Sequence, residues 1–219
     1  TKSIAWRITK MSQEEIRILA TPVTTASCKF TVDRPVYADG SFYFGTREKG
    51  QDSPLARRLF DIEGVMTVLI SHDEITVNKA GNFEWQDIGK LIGAEIREHM
   101  QSGEPAVGDE LASSIPATEE LRGRIEEVLE SEVNPAVAGH GGVVTLIDVR
   151  KNDVFIKMGG GCQGCGMAAV TLKHGVETAI RQAVPEVGAI YDTTDHAAGR
   201  NPYYAAQWAP KGSEDVLRY

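Results

Sequence analysis

Cys162-Gln163-Gly164-Cys165 stands between Met158-Gly159-Gly160-Gly161 and Gly166, and it holds two of the chain's 3 cysteines. A two-residue spacer lets both sulfurs turn to one side of a tight loop and reach a common metal centre. Glycines on both flanks permit left-handed backbone and remove side chains that would keep the chain away from a ligand. A helix beginning just after the pair would present unpaired N–H groups and a partial positive charge, which stabilise thiolate and lower its pKa. The segment is suited to hold anionic sulfur.

Four chemistries compete for it. A thiol-disulfide exchanger uses Cys-x-x-Cys at a helix start, normally within a longer βαβ pattern and seldom after three glycines. A closed zinc site needs four ligands, and no second Cys-x-x-Cys or His-x-His pair completes one within the chain. Gly159, Gly161 and Gly164 satisfy a dinucleotide fingerprint, but cysteines occupy the turn, and no parallel strand ending in an acidic residue is expected about 20 residues on. An iron-sulfur cluster generally takes four thiolates, of which this segment offers two. Two copies of the chain complete the set across a two-fold axis. A cluster held at such a seam is released when the seam opens, which suits a carrier. Dithiol exchange and a zinc-linked dimer stay open as the rival readings.

The elements around the pair are legible. Thr118 is expected to cap a helix with Leu121, Ile125, Val128 and Leu129 inside and Glu126, Glu127 and Glu130 outside, ended by Asn134-Pro135. Val143–Val149 and Val154–Met158 flank Arg150-Lys151-Asn152-Asp153 as a hairpin. A helix follows, with Ala169, Leu172, Val176, Ala179 and Ala183 on its buried face; Pro185 stops it, and Val187–Tyr191 supplies a last strand. In the first half, alternation from Ala26 to Val32 marks a strand and Asp39-Gly40 a turn. Ser53-Pro54 opens a short helix, Leu55–Phe60, that stops before Gly64. Strands at Val65–Ser71 and Ile75–Val77 enclose a hairpin turn, and Ile88, Leu91, Ile92, Ile96 and Met100 place an amphipathic helix over Trp85–Met100. Between the halves the chain is poor in large apolar residues and broken by two prolines, so it reads as a flexible linker.

The expected fold class is therefore α+β, two small domains joined by that linker. The bounds are residues 1–100, a linker at 101–117, a helix-hairpin-helix-strand domain with the Cys-x-x-Cys loop at 118–195, and a polar and aromatic tail at 196–219. With 42% hydrophobic residues, 25% charged and a formal charge of -8, the composition is that of an ordinary globular protein and excludes collagen-like and wholly disordered chains. Residues 1–110 carry 13 basic and 17 acidic side chains, and residues 111–219 carry 10 and 14. Neither half is a basic arm, so no nucleic-acid or anionic-membrane partner is expected. No apolar run approaches the roughly 18 residues of a membrane span, and the few cysteines fit a reducing compartment.

Other reactive side chains have simpler readings. Cys28 sits on the apolar face of its strand as a core filler rather than a third ligand. His140 marks a turn, His174 a helix surface, and the three glutamates a solvated face. No Ser-His-Asp constellation and no Walker lysine appear. No catalytic residue is assigned, and the chain is read as handling a cofactor without being an enzyme.

The segments "NPAVAGHGGVVTLIDV", "VFIKMGGGCQGCGMAAVTLKHGVETAI" and "VPEVGAIYD" resemble the C-terminal domain of the NifU/Nfu family of iron-sulfur cluster scaffold and carrier proteins. "SPLARRLFDIEGV", "ITVNK" and Trp85 are similar to the Nfu N-terminal domain, and together the matches run over about residues 20–195. The resemblance implies a 4Fe-4S cluster, with 2Fe-2S as the other nuclearity, bridging a homodimer through Cys162 and Cys165. It also implies receipt from cluster donors and transfer to apo iron-sulfur proteins. The frequent Cys-Pro-x-Ser continuation is replaced by Gly166, Met167 and Ala168, which adds backbone freedom after the second ligand. The N-terminal domain, lacking such a constellation, is expected to select acceptors. Thr1 in place of an initiator Met is read as processing in a cytoplasm, with an organellar matrix as the alternative.

Overall fold

The computed structural model describes residues 15–139, 141–160, 166–194 and 217–218. The first half builds an antiparallel sheet from β1 (Ile18–Pro22), β2 (Ser27–Val32), β3 (Tyr37–Phe44), β4 (Val65–His72) and β5 (Glu74–Lys79), backed by helices α1 (Pro54–Asp61) and α2 (Trp85–Ser102). Strict alternation puts Cys28, Phe30 and Val32 of β2 on one face, opposite Val77 and Ile75 of β5. Leu55 and Leu59 of α1 and Ile88, Ile92 and Ile96 of α2 close over them. Ser53 caps α1 as expected, its Oγ accepting from Ala56 N–H at 3.1 Å.

Two expectations in this half change. Asp39-Gly40 is not a turn but lies inside β3, where the register against β4 shifts and Gly40 has φ +124°. The Asp-Gly pair here marks a bulge, the other structure that needs left-handed glycine. The flexible linker is in part docked: Ala106 and Val107 are buried, Ala106 C=O accepts from Ser53 Oγ at 2.6 Å, and Gly108 N–H donates to Asp52 C=O at 2.9 Å. A helical turn, α3 (Asp109–Ala112), follows.

The second half runs α4 (Thr118–Val128), a π-helical turn (Leu129–Val133), α5 (Asn134–Ala138), β6 (Gly142–Arg150), β7 (Asp153–Gly160), α6 (Gly166–Ala183) and β8 (Ile190–Asp192). Thr118 is the first helical residue rather than a cap, and Asn134-Pro135 does not end the helix. A proline costs little in the first turn of a helical segment, and Pro135 stands there in α5. The wide turn before it adds one residue to the helical path, which rotates everything beyond by about 100°. Val133 and Val137 stay in the core, and Asn134 is turned toward the sheet.

β6 and β7 pair antiparallel from Gly142↔Gly160 to Arg150↔Asp153, and β8 lies parallel to β7 on its other side. The α4 stripe of Leu121, Ile125, Val128 and Leu129 is buried as expected; on α6 Val176 is buried and Leu172 and Ala179 pack against the core as expected, joined by Ile180 and Val184, while the Ala169 side chain lies outside the described residues. Ala183, placed inside by the sequence pattern, is exposed, and Ile180 fills that role with the larger side chain. Past 195 only Leu217 and Arg218 are described, as the strand β9 beside β1; the remainder of the expected tail lies outside the described residues.

The halves meet at the β6–β7 turn. Asn152 Nδ2 donates to Ser41 C=O at 2.7 Å and to Glu186 C=O at 3.0 Å, while its Oδ1 accepts from Ser41 N–H at 3.1 Å. Ser41 Oγ donates to Asp153 Oδ1 and accepts from Ala189 N–H at 2.6 Å. Ser41 and Asn152 are fully buried. Two glycines allow this approach: a Cβ on Gly40 would fall on Asn152, and one on Gly188 would stand 2.5 Å from Ser41 C=O. Arg181 lies 3.8 Å over the Tyr43 ring at the edge of the junction.

Candidate metal centre

The end of the hairpin away from that junction leads to the cysteines. β7 ends at Gly160 and α6 begins at Gly166, so Cys162 and Cys165 fall in the short connection between strand and helix. The helix expected after the pair is present and runs 18 residues from Gly166. Both ligand assignments, and His140, lie outside the described residues. Gly166 belongs to α6, so the departure from Cys-Pro-x-Ser falls at the helix start rather than within a loop.

What is described is the stem. Val144 and Met158 face each other across β6 and β7, each about 1% exposed. Alternate facing pairs of an antiparallel ladder exchange no hydrogen bond and turn their N–H and C=O groups outward. Val144 does so toward Asn134: its N–H donates to Asn134 Oδ1 at 2.8 Å, and its C=O accepts from Asn134 Nδ2 at 3.1 Å. On the other flank, Met158 N–H donates to Thr194 Oγ1 at 2.7 Å, and that hydroxyl faces Met158 C=O at 3.4 Å. Thr193 does the same for Ile156, its N–H and hydroxyl reaching Ile156 C=O at 2.8 and 3.0 Å. Sequence reasoning assigned Asn134 to helix termination and gave the two threonines no role. Their partners are backbone groups 10 and 36 residues away for Asn134 and Thr194, which no local pattern announces.

The remaining reactive groups stand as read. Cys28 is 1% exposed in the N-terminal core, and burial pushes its thiol up to about 11, so it is a poor thiolate at neutral pH. His174 and the glutamates 126, 127 and 130 are exposed. Among the described residues no group of three or more His, Cys, Asp and Glu side chains is arranged to hold a metal ion. No helix among them is long and apolar enough to cross a membrane. The dinucleotide reading stays discounted: β8 is parallel to β7 and ends in Asp192, but that residue lies well beyond the spacing of about 20 residues the fingerprint calls for, and Gly159 and Gly160 belong to β7 rather than to a strand-to-helix turn.

A cleft of about 650 Å³ opens at the domain junction, with Ser71, His72, Phe155 and Tyr191 in its wall. Its lysines and arginine are matched by carboxylates, Lys29 with Glu74 at 2.8 Å, Arg150 with Asp148 at 2.9 Å and Lys151 with Asp39 at 3.0 Å. The cleft therefore presents no unpaired cationic side chain to an anionic ligand.

An N-terminal α+β domain, followed by a three-stranded domain whose strand-to-helix connection bears Cys-x-x-Cys, defines the class. Residues 16–103 match the family described as scaffold protein Nfu/NifU N terminal, and residues 125–191 match the NifU-like domain. The chain is 31% identical to the mitochondrial NifU-like protein 5 of Arabidopsis thaliana, over 82% of this chain and 68% of that one. It is also 31% identical to a NifU-like protein of Schizosaccharomyces pombe, over 71% and 63%. With the Fe/S biogenesis protein NfuA of Pseudomonas syringae pv. tomato it shares 46% identity over 41% of this chain and 48% of the relative. The chain belongs to the NifU/Nfu family. It spans about half to two thirds of the length of these relatives.

Proposed function

We propose that this chain is an iron-sulfur cluster scaffold or carrier, taking a 4Fe-4S cluster as cargo between Cys162 and Cys165 of two copies and passing it to apo-proteins. The observation that carries this reading is the donor set: two cysteines at metal-ligand spacing between the end of β7 and the start of α6, with the third cysteine sealed in the other domain. Half a cluster's thiolates per chain calls for a twin. The relatives' names, NifU-like protein and Fe/S biogenesis protein, favour the same reading.

The chain's part in the chemistry is ligand presentation. The partial positive charge ahead of α6 favours thiolate over thiol, and backbone N–H groups of the glycines beside the cysteines are suited to hydrogen-bond cluster sulfur and tune its stability. Transfer is then exchange of one thiolate for another at iron, driven by an acceptor offering better-placed ligands. The chain makes and breaks no covalent bond in a small molecule. The N-terminal domain selects acceptors, and deletion of residues 1–110 lowers transfer to particular targets while leaving cluster uptake intact.

Anaerobic reconstitution followed by absorbance, iron and sulfide analysis and sizing tests this. A brown dimer with about four iron atoms supports it, and Cys162→Ser or Cys165→Ser should abolish uptake. A colourless monomer that reduces disulfides, with Cys165→Ser trapping mixed disulfides on Cys162, would establish the oxidoreductase instead. Metal without visible absorbance would establish a zinc-linked dimer.

A further inference from the structure

We infer that Asn134 and Thr194 are positioning residues for the cysteine connection: two side chains that grip the β6–β7 stem from opposite flanks and fix where the chain leaves the sheet. This rests on the cluster-binding reading for its functional consequence and on the hydrogen bonds alone for its structural one.

Asn134, Val144, Met158 and Thr194 form one row across the strands. Val144 and Met158 turn their backbone groups away from each other, so this row does not draw its bonding from the β6–β7 ladder. The side-chain amide of Asn134 takes the place of a neighbouring strand, offering one donor and one acceptor in the pattern a peptide group would. Thr194, 6% exposed, offers a hydroxyl that can accept and donate at once. Met158 stands four residues before Cys162, so the row is the last described point gripped from both sides before the ligands. It also sits directly ahead of Gly159 and Gly160, the last two residues of β7, and glycine supplies no side-chain packing to stiffen the chain. Precision at the sulfurs then has to come from the stem.

The π-helical turn serves the same end. An uninterrupted helix would direct residue 134 about 100° away from its observed direction; the extra residue of the wide turn brings its amide onto Val144 while Val133 and Val137 keep their places in the core. Turns of this kind occur frequently at functional sites.

The test uses the full chain with Asn134→Ala, Thr194→Val and Thr194→Ser, and with Ile180→Val as a control in the same core that removes a buried methylene but no hydrogen bond. In the metal-free chain, hydrogen exchange of the 156–160 stretch should quicken about tenfold in the Ala and Val variants, the order expected from losing the two half-buried bonds of Asn134 or the buried hydroxyl bonding of Thr194. Exchange in the N-terminal sheet should stay unchanged. After reconstitution, the same two variants should lose iron and sulfide to a chelator about tenfold faster, and Thr194→Ser should restore both rates. Wild-type exchange in both variants, or equal acceleration of release by Ile180→Val, would overturn the assignment. Should the wild-type chain take up no iron and sulfide, the cluster reading fails, and the exchange measurements alone decide the grip.

Discussion

The two ends of the β6–β7 hairpin are both fastened by polar side chains, yet they are fastened to different things. At the turn end, Asn152 and Asp153 are locked to Ser41 of the first domain and to the backbone of residues 186 and 189. At the cysteine end, Asn134 and Thr194 belong to the same domain as the strands they hold. The turn end fixes one domain on the other; the cysteine end fixes a strand relative to its own helix. Buried polar groups impose specific geometry because each unmet partner is costly, and here that rule operates twice on one hairpin to separate ends.

The sharpest way to break this comparison is Gly188→Ala. The added methyl meets Ser41 at an impossible distance, so the junction must open, at a cost of about 3 kcal/mol or more. Denaturant unfolding should lose that stability, while hydrogen exchange at residues 156–160 stays as in wild type. Loss of protection there as well would mean that the ends act as one unit. Asn152→Ala is milder, leaving Ser41 N–H and C=O buried without the amide. It should cost about 2 kcal/mol by the same unfolding measurement, again without change at the cysteine end.

Acid offers the smallest and most local probe. Arg150, hydrogen-bonded to Asp148, holds that carboxyl below its ordinary range, helped by Val149 N–H and Arg122 and opposed by desolvation. A depressed folded pKa means that the stabilisation is present above the unfolded value, near 3.8, and is lost as pH falls through the folded one. The unfolding midpoint should decline across that window, and Asp148→Asn should flatten this part of the pH profile.

What the sequence disclosed follows from where each interaction has its partner. The alternation of Cys28, Phe30 and Val32 and the stripe of Ile88, Ile92 and Ile96 are local patterns and were legible as strand and helix. Gly40 and Pro135 misled because each residue type serves two structures: a turn or a bulge, a helix stop or a helix start. Ala106 and Val107 are too small to announce that the supposed linker is docked. Asn134, Asn152 and Thr194 act on backbone groups that only the folded chain brings near them.

The seclusion of Cys28 has a practical and a protective side. An alkylating reagent applied to the folded chain at neutral pH spares a thiol that is both covered and reluctant to ionise, so the mass added counts Cys162 and Cys165 alone. The same seclusion guards against scrambling. Were Cys162 and Cys165 oxidised to sulfenic acid or disulfide, the buried Cys28 would not be at hand to capture either one in a dead-end bond.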